Sequence, residues 1–189
     1  MNPRKGHFRY ESGHHGGLWL DLEPMYLRPK ALEPLIQELA GKLAPYRADI
    51  VCGPMVEGAL LAQSVANRLG VEFCWAEQTA AAPAEGLYAT AYRIPGAVRP
   101  LLAGRRAAII DDVINAGSAV RGAADDLLAC GAVPVAAGAL LVLGSLGLGH
   151  LRERSIPVEF LASVPFEIWA PPQCPLCAAG VRLEDLTIG

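Results

Sequence analysis

Apolar positions fall in two alternating rhythms along this chain. Short apolar runs closed by glycine, proline or acid give way to longer stretches with helical spacing. Leu35, Ile36, Leu39 and Leu43 share one face of a helix predicted over residues 33–43, with Pro34 in its first turn. A strand over 49–52 ends at Gly53-Pro54, a helix over 58–69 is capped by Gly70, and 71–75 reads as a strand. Periodicity weakens over 77–104, apart from an extended excursion at 87–94, so this segment is a candidate mobile loop. Order returns with a strand over 107–110 that closes in Asp111 and Asp112. A helix over 118–130, a buried strand over 135–143 and a last strand over 158–164 follow. Residues 1–30 read as an irregular Gly-, His- and aromatic-rich arm with short extended pieces such as 18–22, and 165–189 as a C-terminal tail.

Strands alternating with helices predict an α/β fold, a mostly parallel twisted sheet flanked by helices, with a small hood built from the termini. At 189 residues and 19.9 kDa the chain fits one domain over 1–189. Ligands of such sheets sit at the carboxyl ends of strands, so the loops at 53–58 and 111–118 should face one crevice. Apolar residues at 52% against 19% charged exclude disorder as a description of the chain. A net charge of −3 disfavours a nucleic-acid binder. Residues 127–149 carry no full charge, but their repeated glycines and Pro134 split them into a helix end and a strand, so no membrane span is expected. Five cysteines, an odd number, without an apolar leader point to a reduced, cytoplasmic protein.

The strongest chemical signal lies between Ala107 and Ala119. A buried strand delivers two adjacent carboxylates able to grip neighbouring sugar hydroxyls. Asn115, Ala116, Gly117, Ser118 and Ala119 then form a loop of small residues whose backbone N–H groups, with the helix start behind them, suit a phosphate. The bland alternative is a pair of solvated turn acids with Ser118 as an ordinary helix cap. Strand, acid pair, loop and helix start fall in register, which favours a phosphorylated pentose.

The run Ile109–Ala119 resembles the motif of type I phosphoribosyltransferases that binds 5-phosphoribosyl 1-pyrophosphate (PRPP), and the orotate phosphoribosyltransferase group most closely. Gly6-His7-Phe8 with Ser12-Gly13 is similar to that group's N-terminal signature, and Gly53-Pro54 with Gly58 to its pyrophosphate loop. The resemblance covers residues 6–143. It implies that Asp111 and Asp112 hold the ribose hydroxyls as catalytic residues and that 115–119 bind the 5-phosphate, while Gly53, Pro54 and Gly58 serve the pyrophosphate. It also implies Mg²⁺ riding on the substrate, a nucleobase acceptor, a closing loop and a homodimer. The sequence departs from the group where Glu11 and Glu57 stand in place of lysines, and its only lysines are Lys5, Lys30 and Lys42. No arginine or lysine lies between Arg121 and Arg152 to meet an orotate carboxylate. Arg93, Arg99, Arg105 and Arg106 are candidate replacements for the missing loop charge. The missing lysines leave a non-catalytic PRPP- or nucleotide-sensing homologue as the alternative.

Two further patterns stand apart. Cys174-Pro175-Leu176-Cys177 has the spacing of a zinc turn, but zinc needs two more ligands and no second such turn exists. A plain tail turn is the simpler expectation, with a zinc bridge between two copies or help from His150 as alternatives. His14 and His15 either line the base pocket or form a flexible turn. The glycines between Gly144 and Gly149 are in the wrong order for a dinucleotide loop.

Overall fold

The computed structural model describes residues 2–79 and 86–186. Its strands, in chain order, are β1 (Asn2–Arg9), β2 (His15–Asp21), β3 (Ile50–Pro54), β4 (Glu72–Thr79), β5 (Ala91–Arg93), β6 (Arg106–Ile114), β7 (Val133–Leu143), β8 (Val158–Val164), β9 (Ile168–Trp169) and β10 (Glu184–Asp185). The helices are α1 (Glu23–Tyr26), α2 (Pro29–Leu43), α3 (Glu57–Leu69), α4 (Ser118–Ala129), α5 (Leu146–Glu153) and α6 (Pro175–Ala178). Six strands form the central sheet in the order β5-β4-β3-β6-β7-β8, parallel throughout except for the β4–β5 pair. The expected α/β class is therefore the observed one.

Both faces of this sheet are buried, which is why its strands read as continuous apolar runs. Alternation sends Val51, Ala108, Ile110 and Ala136 toward α2 and α3, where Leu39 and Leu61 pack. Cys52, Ile109, Ala137 and Ala139 face the other way, against Val120 and Leu127 of α4 and Leu151 of α5. Each fully buried leucine contributes about 1.5–3 kcal/mol relative to exposure.

A second sheet, β10-β1-β2-β9, brings the N- and C-terminal segments together as the expected hood. The arm at 1–30 is not irregular: β1 and β2 form an antiparallel hairpin. Its alternation is hidden by Gly6, Gly16 and Gly17, which have no side chain to show a face. The tail is likewise regular in part, since β9 pairs with β2 and β10 with β1.

Other boundaries move for identifiable reasons. α2 starts at Pro29, which takes the first-turn place, so Pro34 is inside the helix and not in its first turn. β6 does not end at the acids but runs through them to Ile114, and α5 occupies a glycine-rich stretch with no helical signal. Within 77–104, β4 and β5 pair and Tyr92, Ile94 and Leu102 are buried, while residues 80–85 lie outside the described residues. Residues 127–149 divide between α4, β7 and α5, and no helix among the described residues is long and apolar enough to cross a membrane.

Candidate functional site

The carboxyl edge of β3 and β6 opens into a cavity of about 360 Å³, within the range of small-molecule sites. Asp111 and Asp112 both line it. Asp111 is buried, and its Oδ1 accepts a hydrogen bond from the Asp112 backbone N–H at 3.1 Å; Asp112 Oδ1 accepts one from Val113 N–H at 2.7 Å. The pair thus converges on one cavity and does not splay into solvent.

This arrangement is electrostatically uncomfortable. Burial, reinforced by the Asp112 charge, pushes Asp111 well above the usual carboxylate range. Burial also lifts Asp112 to about 6, with Glu57 adding repulsion against the relief given by the Val113 amide. Glu11 is raised by burial, although the Tyr92 hydroxyl, 3.0 Å from each of its oxygens, donates to it. Glu11, Glu23, Glu57, Asp111 and Asp112 all line the cavity, whereas no arginine, lysine or histidine among the described residues does.

Beyond β6 the chain turns at Gly117, whose φ of +83° belongs to the left-handed region. A Cβ there would also come within 2.8 Å of the Gly147 carbonyl oxygen. Gly147 in turn donates its N–H to Asn115 O at 3.0 Å, so α5 supports the loop from below. Ser118 opens α4, and its buried Oγ has no hydrogen-bond partner among the described residues; the same holds for Asn115 Oδ1. A buried hydroxyl at a helix start, beside the first backbone N–H groups of that helix, is the kind of donor set that an anion completes.

The second loop approaches from β3. Pro54 and Gly58 line the cavity with Met55, Val56 and Glu57. Gly58 is required by proximity, since a Cβ would lie 2.6 Å from Asp111 Oδ1. Gly53 is not among the lining residues. Its backbone passes so close to Gly58 and Ala59 that a Cβ would sit 2.3 Å from Gly58 O, which gives it a packing part.

Asp111, Asp112, Asn115, Ala116, Gly117, Ser118, Ala119, Pro54 and Gly58 are thus brought together as expected. The arginines are not. Arg99 is paired with Asp126, Arg105 with Glu72 at 2.8 Å, and Arg106 donates to the Tyr46 and Arg47 carbonyls. Arg93 lies opposite Glu77 on β4. Neither His14 nor His15 lines the cavity: His14 meets Ser12 Oγ at 3.0 Å, while His15 turns to the tail cysteines. His150 is not near those cysteines but beside Asp125 and Arg154. Tyr92 and Gly147 escaped the sequence reading. The first sits in the extended excursion at 87–94, where nothing local marks it, and the second shows its purpose only through a contact 30 residues back in the chain.

A parallel sheet with an acid pair on its central strand, and an anion-seeking loop directly after it, defines an α/β protein built for a sugar phosphate. Residues 23–154 match the family model described as phosphoribosyl transferase domain, and the chain belongs to that family. It is similar to the orotate phosphoribosyltransferase of Heliobacterium modesticaldum, 33% identical over 180 residues, covering 93% of this chain and 86% of the relative. The orotate phosphoribosyltransferase of Caldanaerobacter subterraneus is 26% identical over 186 residues, covering 95% and 87%. The solved orotate phosphoribosyltransferase of Aeropyrum pernix shares the fold, with a TM-score of 0.65 at 19% identity over 86% of this chain and 88% of that one. The protein is a phosphoribosyltransferase, and the sensor alternative gains no support from these named enzymes.

Proposed function

We propose that the chain transfers the 5-phosphoribosyl group of PRPP to a ring nitrogen of a pyrimidine base, orotate by its relatives, in the formation of pyrimidine nucleotides. The bond from the anomeric carbon to the nitrogen forms as the bond to pyrophosphate breaks. The observation that carries this reading is the convergence of Asp111, Asp112 and the unpartnered Ser118 hydroxyl on one cavity. Asp111 and Asp112 hold the two ribose hydroxyls, and, once a bound cation offsets the burial and repulsion that raise them, their negative charge favours the cationic sugar that develops as pyrophosphate leaves. Residues 115–119 anchor the 5-phosphate, and the loop from Pro54 to Gly58 borders the pyrophosphate.

A polyanion cannot enter a lining of five carboxylates without a counter-charge. The donor set is all hard oxygen, which fits Mg²⁺, with Glu57, Asp111 and Asp112 as the residues that would meet it directly or through water. Bound Mg²⁺ supplies neutralisation of the pyrophosphate leaving group. A homodimer, with a loop from the second copy completing the cavity, belongs to the same proposal.

The decisive assay supplies PRPP and Mg²⁺ with a panel of orotate, uracil, adenine and hypoxanthine, and reads pyrophosphate release. Orotate is expected to be consumed; release with no base would overturn the proposal. Preference for a neutral base would overturn the orotate assignment alone. That arm is included because no cationic side chain among the described residues faces the cavity.

A further inference from the structure

The hood holds a second cluster. His7 on β1, His15 on β2 and Cys174 and Cys177 around α6 place one ligand atom each within 4.8 Å of all the others. We propose that these four side chains form a structural zinc site that fastens the N-terminal hairpin to the C-terminal segment.

The spacing is that of a coordination shell. Zinc bonds of about 2.0–2.1 Å to nitrogen and about 2.3 Å to sulfur, arranged tetrahedrally, put ligand atoms about 3.3–3.8 Å apart. His7 Nε2 lies 3.2 Å from His15 Nδ1, 3.4 Å from Cys174 Sγ and 3.7 Å from Cys177 Sγ, and His15 Nδ1 lies 3.2 Å from Cys177 Sγ. Hydrogen bonding alone does not explain this crowding. His7 Nδ1 donates to Val181 O at 2.8 Å, which leaves Nε2 with a single lone pair facing three groups. The same bond is the outer-shell contact that orients a zinc-binding imidazole and fixes its tautomer.

The surrounding backbone builds the site. The β1–β2 register slips between Lys5 and Phe8, an irregularity of the kind that re-aims a side chain, and His7 lies within it. β9 joins β2 just before the cysteine turn and β10 joins β1 just after it, so the turn is held over the hairpin from both sides. His7, His15 and Cys174 are buried, and exposed Cys177 gives the ion a way in. Four protein ligands leave no open position, which makes the site structural. None of the four lines the acidic cavity, but Tyr10, Glu11 and Ser12 of the same hairpin do, so the ion would stiffen one wall of it. On this proposal one chain supplies the whole set, in place of a plain tail turn or a bridge between two copies.

The test uses the full chain, purified under reducing conditions without chelator, loaded with zinc and desalted. Elemental analysis is expected to find one zinc per chain, and the Cys174→Ser, Cys177→Ser double variant to retain none. Cobalt in place of zinc should show the visible bands of a tetrahedral centre and a thiolate charge-transfer band. Stripping the wild-type protein with a thiol reagent and chelator should release the zinc and speed proteolysis within 2–21 and 168–186 before the six-stranded core is cut, a readout that survives if the double variant fails to fold. Failure to retain zinc together with no thiolate–cobalt band overturns the site, as does zinc retained by the double variant or a Cys174–Cys177 disulfide that persists under the same reducing conditions. Pyrophosphate release is not the readout, so failure here leaves the proposed reaction standing.

Discussion

The six-stranded sheet and the hood sheet are stabilised by different means. The first buries both faces, with β6 alone contributing four fully or nearly fully buried residues between Ala107 and Ile110. In the second, the outer strands β9 and β10 are two residues each, and Phe8 is the one large apolar side chain of the hairpin strands that is fully buried among the described residues. Small sheets with so little apolar cover need a staple, and the hood offers four ligating side chains where a larger domain offers leucines. The two sites follow the same division. In the cavity, crowded acids repel one another; in the hood, three buried ligands and the exposed Cys177 converge on the point where the proposed zinc would sit.

The comparison breaks first at the acids. Replacing both Asp111 and Asp112 with asparagine should lower turnover by about 10³-fold and abolish the rise in Tm that PRPP with Mg²⁺ gives the parent. Unchanged turnover would remove the ribose assignment. Gly58→Ala comes next: its methyl group must displace Asp111 Oδ1 or Pro54, so catalysis should fall about 10²-fold, with a stability loss of about 1–3 kcal/mol. Denaturant melts paired with steady-state rates separate the two losses.

Asp112→Asn alone should act in the opposite direction on the ligand-free protein. The folded carboxyl titrates near 6 against 3.8 for the free group, so between those values the folded state holds more protons. Its contribution to stability is therefore favourable at low pH and declines as pH rises through that window. At pH 8 the asparagine variant is expected to be about 1–3 kcal/mol more stable than the parent, with the advantage gone below pH 4. A variant less stable than the parent at pH 8 would contradict the repulsion described here. Smallest is Arg105→Ala at the far edge of the sheet, where a half-exposed pair with Glu72 should change stability by no more than about 0.5 kcal/mol.

How much the sequence disclosed follows the same line between core and hood. β3, α3, β6, α4 and β7 are legible because each carries its own periodicity and Gly70 marks a helix end. The acid pair and the 115–119 loop are legible because every part lies within one strand–turn–helix unit. What stayed hidden depends on residues distant in the chain. His7 and His15 stand about 160 positions from Cys174 and Cys177, so no local spacing joins them. The hairpin is masked by glycines, and Tyr92 earns its place in the core from Glu11 and α4, neither of which is near it in sequence.

Tyr88 ties these territories together. Its backbone N–H donates to Ser12 O at the hairpin turn, its hydroxyl donates to Ala116 O in the 115–119 loop, and Arg121 packs over its ring. A keystone of this kind couples the hairpin turn to the 115–119 loop. Any remodelling of the hairpin turn must keep both hydrogen bonds of this tyrosine, to Ser12 O and to Ala116 O, or the 115–119 loop loses its tie to the hairpin.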